Sequence, residues 1–247
     1  MSGQVSPSTG SLIPPVLPLE LLVCEVVLHL DNKQAFESLR ILSRTCSSLR
    51  APCQCVLFRR ISWYRYCSEA RNLLHLISTT SAHLAGYIHQ ILFRPSNRAL
   101  PDQTARDIVE LLKLLPHVES LALEAPAGYE RVSWTLLSPE LQRSVVRLFC
   151  RKSFSHLTLK SIEDIPVSLL ACSSIKSLFV SYTTIFAEPR PTTTERMHLK
   201  KLEFWAWDPA ADSSLRTILQ SSQEVHWIIV RCKFYLYFHR KSCSSPP

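Results

Sequence analysis

Glycine is scarce in this sequence, with four in 247 residues, at positions 3, 10, 86 and 128. Phosphate-cradling loops need closely spaced glycines so that backbone N–H groups can approach an anion, and neither G-x-G-x-x-G nor G-x-x-x-x-G-K-[ST] occurs. There is no G-x-S-x-G elbow for a serine hydrolase, and the nine histidines form no H-E-x-x-H or H-x-E signature. Glu163 and Asp164 are adjacent, which on a strand sends them to opposite faces and makes them a poor acid and base pair. These absences leave no catalytic, cofactor-binding or metal residue to name, and the chain is expected to be non-enzymatic. A Cys/His dyad brought together only by folding is the catalytic alternative.

Cysteine is plentiful, but its spacing is not that of a metal site. The nine thiols, at 24, 46, 53, 55, 67, 150, 172, 232 and 243, contain no C-x-x-C, and Cys53-x-Cys55 has no matching second pair, so zinc is not expected. Most read as small buried hydrophobes. The polar opening from Met1 to Gly10 has no charged and then apolar leader, which points to a reducing, intracellular setting in cytoplasm or nucleus. Long apolar runs are missing too, and no stretch approaches the eighteen or so residues of a spanning helix. The formal charge of +8 is spread along the chain with no basic run longer than two. That fits a solvated basic surface better than a nucleic-acid interface, whose charge is concentrated.

What is present falls into zones. Residues 1–16 form a proline-bearing leader without apolar period. From Leu17 to Trp63 three short helices are expected. Pro18 suits a first helical turn, and Leu21, Leu22, Cys24, Val26, Val27, Leu28 and Leu30 follow almost without polar interruption. Asp31 and Asn32 stop that helix and cap a second, in which Ala35, Phe36, Leu39, Ile41 and Leu42 repeat at helical spacing. A third holds Cys46 and Leu49, is bent or ended near Pro52, and resumes through Val56 to Phe58. Three such helices cannot cover their own apolar surface, so something else must.

This zone resembles the F-box. Leu17-Pro18-Leu19-Glu20-Leu21-Leu22 is similar to its L-P-x-E-L-L opening. Leu39, Ser43, Cys46 and Leu49 resemble its L-x-x-x-S-x-x-C-x-x-W element, with Leu49 where many members have tryptophan, and Leu57-Phe58 with Ile61 resembles L-F-x-x-I. The resemblance covers about a fifth of the chain. It implies a three-helix module whose apolar face packs on the Skp-type adaptor of a cullin-RING ubiquitin ligase. The positions it implies for that contact are Leu17, Pro18, Leu21, Leu22, Val26, Leu39, Leu42, Cys46 and Leu49.

The third zone, 68–232, repeats an apolar-x-x-apolar-x-apolar triplet: Ile88, Ile91, Phe93; Val118, Leu121, Leu123; Phe154, Leu157, Leu159; Ile175, Leu178, Val180; Leu199, Leu202, Phe204; Val225, Ile228, Val230. Each ends in period two, as a half-buried strand does. Helical stretches lie between them at Glu69 to Ser78, Asp102 to Leu115, Pro139 to Phe149 and Ser213 to Leu219. One strand and one helix per unit resembles an irregular leucine-rich-repeat solenoid, although the asparagine or cysteine of that consensus is not in place. The expected fold class is therefore α/β: an N-terminal three-helix F-box module, then an irregular leucine-rich-repeat-like α/β solenoid. Such a combination is similar to fungal F-box proteins with degenerate repeats. Residues 233–247 make an irregular tail unlike the polar cap of a solenoid, which leaves the completeness of the C-terminus open.

Ala125 to Trp134 and Glu188 to Thr194 read as surface loops. Trp205 and Trp207 would share one strand face, either presenting an aromatic patch to a target or capping a neighbouring layer while Leu202, Phe204 and Ala206 point inward. The function expected from the resemblance is that of a ligase substrate receptor, holding the adaptor with its helices and an unidentified target protein with its repeats. A scaffold of the same architecture outside any ligase is the alternative.

Overall fold

The structure is a computed structural model that describes residues 21, 32–45, 47–63, 68–95, 100–126, 131–171, 174–187, 197–206 and 209–232. The chain divides into two compact units, Met1–Leu57 and Phe58–Pro247.

In the first unit, α1 (Asn32–Thr45) buries Ala35 and Leu39, one helical turn apart, and leaves Phe36 and Ile41 exposed. The following helix, α2 (Ser47–Phe58), runs through Pro52 and buries Cys53. Leu39 and Cys53 form the centre of a small apolar cluster, with Leu42, Leu49, Val56 and Leu57 packed around them.

The second unit is mixed α/β, built on a seven-stranded parallel sheet. Its strands are β1 (Arg60–Trp63), β2 (Gln90–Phe93), β3 (Ser120–Glu124), β5 (His156–Lys160), β8 (Ser177–Ser181), β10 (Met197–Ala206) and β11 (Ser222–Cys232), and they lie side by side in chain order. Two short parallel pairs flank it: β4 (Val132–Ser133) with β6 (Ile162–Glu163), and β7 (Ile165–Pro166) with β9 (Ile185–Phe186). Helices α3 (Ser68–Thr79), α4 (Asp102–Leu114), α5 (Pro139–Phe149), α6 (Val167–Ala171) and α7 (Pro209–Ser221) connect the strands. Parallel crossovers share one hand, so a sheet whose strand order equals chain order carries its helices on one face. Accordingly α3 packs on α4, α4 on α5, and α6 on α7.

The apolar triplets build the buried face. Ile91, Leu121, Leu157, Leu178 and Leu202 stand opposite one another across the strands, and Phe93, Leu123, Leu159, Val180 and Phe204 form a second row. All ten are at most 2 % exposed, and burying each such side chain is worth about 1.5–3 kcal/mol. Both rows also extend to β1, through Ile61 opposite Ile91 and Trp63 opposite Phe93. Phe58, Ile61 and Trp63 therefore make a seventh triplet. By sequence these residues fit the end of the helical module; Arg60–Trp63 instead form the first strand, because their period-two pattern matches the sheet's buried face. At the other end the rows run out, with Ile228 49 % and Val230 44 % exposed.

The helices follow local rules. Ser138 caps α5 by accepting from the Leu141 N–H at 3.3 Å, Pro139 occupies the first turn, and Leu141, Val145, Leu148 and Phe149 face the core. Ser161 and Tyr182 directly follow β5 and β8, and both adopt positive φ, 57° and 53°. The Ser161 N–H donates to the Ser181 carbonyl at 2.8 Å, carrying the strand ladder into the loop. Thr183 is buried there, its hydroxyl donating to the Ser181 carbonyl and accepting from the Ile162 N–H. In the segment Ala125 to Trp134, expected to be a surface loop, Ala125, Val132 and Trp134 are buried instead, while residues 127–130 lie outside the described residues. The stretch Glu188 to Thr194 lies outside the described residues.

Candidate functional site

The face of the sheet opposite the helices is half-buried to exposed over most of its described residues, although Leu92 and Ser181 on it are buried. Alternation along each strand sends there the residues between and after the buried pair. One row contains Leu92, Ala122, Thr158, Phe179, Glu203 and Ile229, and a second contains Glu124, Lys160, Ser181, Trp205 and Arg231. A third runs from Gln90 through Ser120, His156, Ser177 and Lys201 to Trp227. His156, Lys160, Lys201, Trp227 and Arg231 are exposed. Fully buried parallel sheets are apolar on both faces; this one is polar and aromatic on the second.

The side chains on β8, β10 and β11 form a joined cluster. Trp205 meets Phe179 edge to face, with ring centroids 5.7 Å apart, and the Arg231 guanidinium lies 5.3 Å from the Trp205 ring centroid. The Trp205 Nε1–H donates to Glu203 at 3.1 Å. Lys201 approaches the same carboxylate at 3.4 Å and Arg231 at 3.8 Å. The hydrogen bond from Trp205, aided by the charges of Lys201 and Arg231, outweighs burial and holds the Glu203 carboxyl below its ordinary pKa. Glu203 is thus an ionised anchor that orients two cations and an indole. Leu202 and Phe204 point into the core and Trp205 points to the open face, beside Phe179. Trp207 lies outside the described residues.

Several polar pairs elsewhere join elements of the fold. Arg131 pairs with Glu163 at 3.4 Å, and Ser133 donates to Asp164 at 2.7 Å, joining β4 to the β6 turn. Asp107 on α4 receives Arg71 of α3 at 2.9 Å and Gln103 at 2.7 Å. The Ser155 hydroxyl lies 2.7 Å from His156 Nδ1, a contact between neighbours in sequence. Among the described residues no group of three histidine, cysteine, aspartate or glutamate side chains could hold a metal ion. Among the same residues no helix is long and apolar enough to cross a membrane. On the helix side an open cavity of about 450 Å³ is lined by Trp134, Pro139, Gln142, Arg143, Val146, Arg147 and Leu169. Among the described residues its lining carries two cations, Arg143 and Arg147, and no acid.

Of the nine positions implied as adaptor contacts, Leu17, Pro18, Leu22, Val26 and Cys46 lie outside the described residues. Leu21 is helical and 52 % exposed. Leu39, by contrast, is 2 % exposed and belongs to the unit's own core, with Leu42 and Leu49 packed against it. No motif in the sequence marks Phe179, Glu203 and Arg231; their signal is parity, since each occupies an x position within or just after a triplet. Compared with known proteins, the chain matches no protein-family model and no curated protein.

Proposed function

We propose that the protein is a non-enzymatic receptor subunit of an SCF-type cullin-RING ubiquitin ligase, holding a Skp-type adaptor with its N-terminal helices and a target protein with the open face of its sheet. The F-box-like residues from Leu17 to Leu49 support the first half of this reading. For the second half the supporting observation is the ladder of triplets, one strand per unit in chain order with helices on the other face. Such a ladder supports the reading of a leucine-rich-repeat-like solenoid, whose strand face would hold another chain. Tethering at both ends would raise the target's effective concentration beside the ubiquitin carrier without any chemistry by this chain.

One observation favours a second reading, a scaffold of the same architecture outside any ligase: Leu39, an implied adaptor contact, is used in the unit's own core. Calorimetric titration of the full chain with a purified Skp-type adaptor separates the two. Binding that Leu21→Asp with Leu22→Asp abolishes, in a variant still folded by circular dichroism, supports the ligase subunit. A folded wild-type chain that leaves the adaptor untouched overturns it and leaves the scaffold.

A further inference from the structure

We infer that the open sheet face over β8, β10 and β11 binds an extended acidic protein segment carrying an apolar side chain between its carboxylates, and that Trp205, Lys201 and Arg231 are its principal contacts. The inference deepens the target-holding half of the reading above and rests on it. Three features lead to this partner. The first is charge: Lys201 and Arg231 both stand on this part of the face, and the carboxylate beside them, Glu203, is occupied by Trp205, Lys201 and Arg231. The cations outnumber it, and the side chains of Lys201 and Arg231 remain 49 % and 63 % exposed. An incoming carboxylate therefore finds cations already oriented by the anchor, which lowers the ordering cost of pairing them.

The second feature is apolar surface beside the charge. Phe179 and Trp205 form an edge-to-face pair, with Ile229 opposite Glu203 in the next strand, so an aliphatic side chain has a platform between the cations. The third is geometry, because parallel strands about 4.8 Å apart present their side chains in rows that a chain crossing the sheet meets one strand at a time. The same features disfavour a nucleic acid. A phosphate backbone needs an uninterrupted cationic line, and Glu203 sits in the middle of this one.

The test uses the full chain and a displayed library of random twelve-residue peptides. The wild type is expected to select peptides rich in Asp and Glu around a leucine, isoleucine or phenylalanine. The Lys201→Glu, Arg231→Glu double variant should lose that acidic preference and bind the best selected peptide at least about tenfold more weakly. Trp205→Ala should weaken it as well. Arg143→Glu with Arg147→Glu, on the helix side, should leave it unchanged. The inference is overturned if selection shows no acidic bias, or if the double variant, folded and of wild-type thermal stability, keeps it. It is overturned equally if a twelve-nucleotide single-stranded DNA binds this face more tightly than any selected peptide. Adaptor binding by the same variants keeps the two ideas apart: peptide selection without adaptor binding sinks only the ligase reading, and adaptor binding without acidic selection sinks only this one.

Discussion

Arg151, just after α5, donates from Nη2 to the Leu112 carbonyl in the last turn of α4 at 3.0 Å, and from Nη1 to the Leu115 carbonyl. A helix C-terminus leaves its last carbonyls without partners and carries partial negative charge, so a cation thirty-nine residues away in sequence completes it. Replacing Arg151 with Ala should cost about 1–2 kcal/mol, read as a lower urea midpoint with unchanged slope. Lysine, with one point charge in place of a fork, should recover only part. A loss within error for Arg151→Ala would show that water serves these carbonyls equally well.

The pairing of Asp107 with Arg71 makes part of the stability depend on pH. Burial pushes the Asp107 carboxyl up, but the hydrogen bonds from Arg71 and Gln103 and the charges of Arg71 and Arg106 outweigh it and leave the pKa below its ordinary value. The unfolded chain therefore takes up this proton first as pH falls. The stabilisation is complete above about pH 4, near the unfolded carboxyl's pKa, and is lost as pH drops through the lower native value. Arg71 is 60 % exposed, which keeps the contribution near about 0.5–1 kcal/mol. The difference between wild type and Asp107→Asn should be present at pH 7 and vanish in strong acid; a difference that grows toward low pH would contradict the assignment.

Leu178 and Ile228 occupy one row of the sheet, separated by β10. Leu178 is 0 % and Ile228 49 % exposed, so truncation at the two sites should differ sharply. Leu178→Ala should cost about 2–5 kcal/mol and Ile228→Ala under about 1 kcal/mol, both from denaturant unfolding of the full chain. Equal losses would mean that the row is covered at β11 as it is at β8.

Trp63 tests where the sheet begins. Its ring meets Phe93 at 6.3 Å, its carbonyl accepts from the Arg94 N–H at 3.0 Å, and it is 2 % exposed. Trp63→Ala should cost about 3–5 kcal/mol and expose the β2 amides to hydrogen exchange. If those amides stayed protected, Arg60–Trp63 would be an appendage to the sheet.

Leu39 distinguishes core from contact in the helical unit. Leu39→Ala should reduce the far-ultraviolet helical signal, because among the described residues the cluster around Cys53 holds no second buried leucine. Leu21→Asp should leave that signal intact, since Leu21 is half exposed. A helical signal untouched by Leu39→Ala would mark it as surface that a partner could use.

Much of the strand pattern was legible because it is local. An apolar residue, two positions, another, and one more at period two already distinguish the inner from the outer face of a strand, and six such triplets lie on six neighbouring strands. The triplet at Phe58, Ile61 and Trp63 was hidden because the same residues fit the end of a helical module, and only pairing with β2 separates the two readings. Val132 and Trp134 read as loop residues in the sequence because their partners, β6 and the α5 turn, are distant or irregular in sequence.

Sequence by itself determined the inward-facing residues of β2, β3, β5, β8 and β10, where the main helices run, and which families of phosphate, metal and hydrolase chemistry have no motif here. The tertiary structure decided the register. Phe179, Glu203, Trp205 and Arg231 become one cluster because parallel pairing brings three strands side by side, and Leu39 becomes core because α2 folds back on α1. Periodicity is carried by each segment alone, whereas register depends on the simultaneous packing of all the segments, and no single stretch of the chain contains that information.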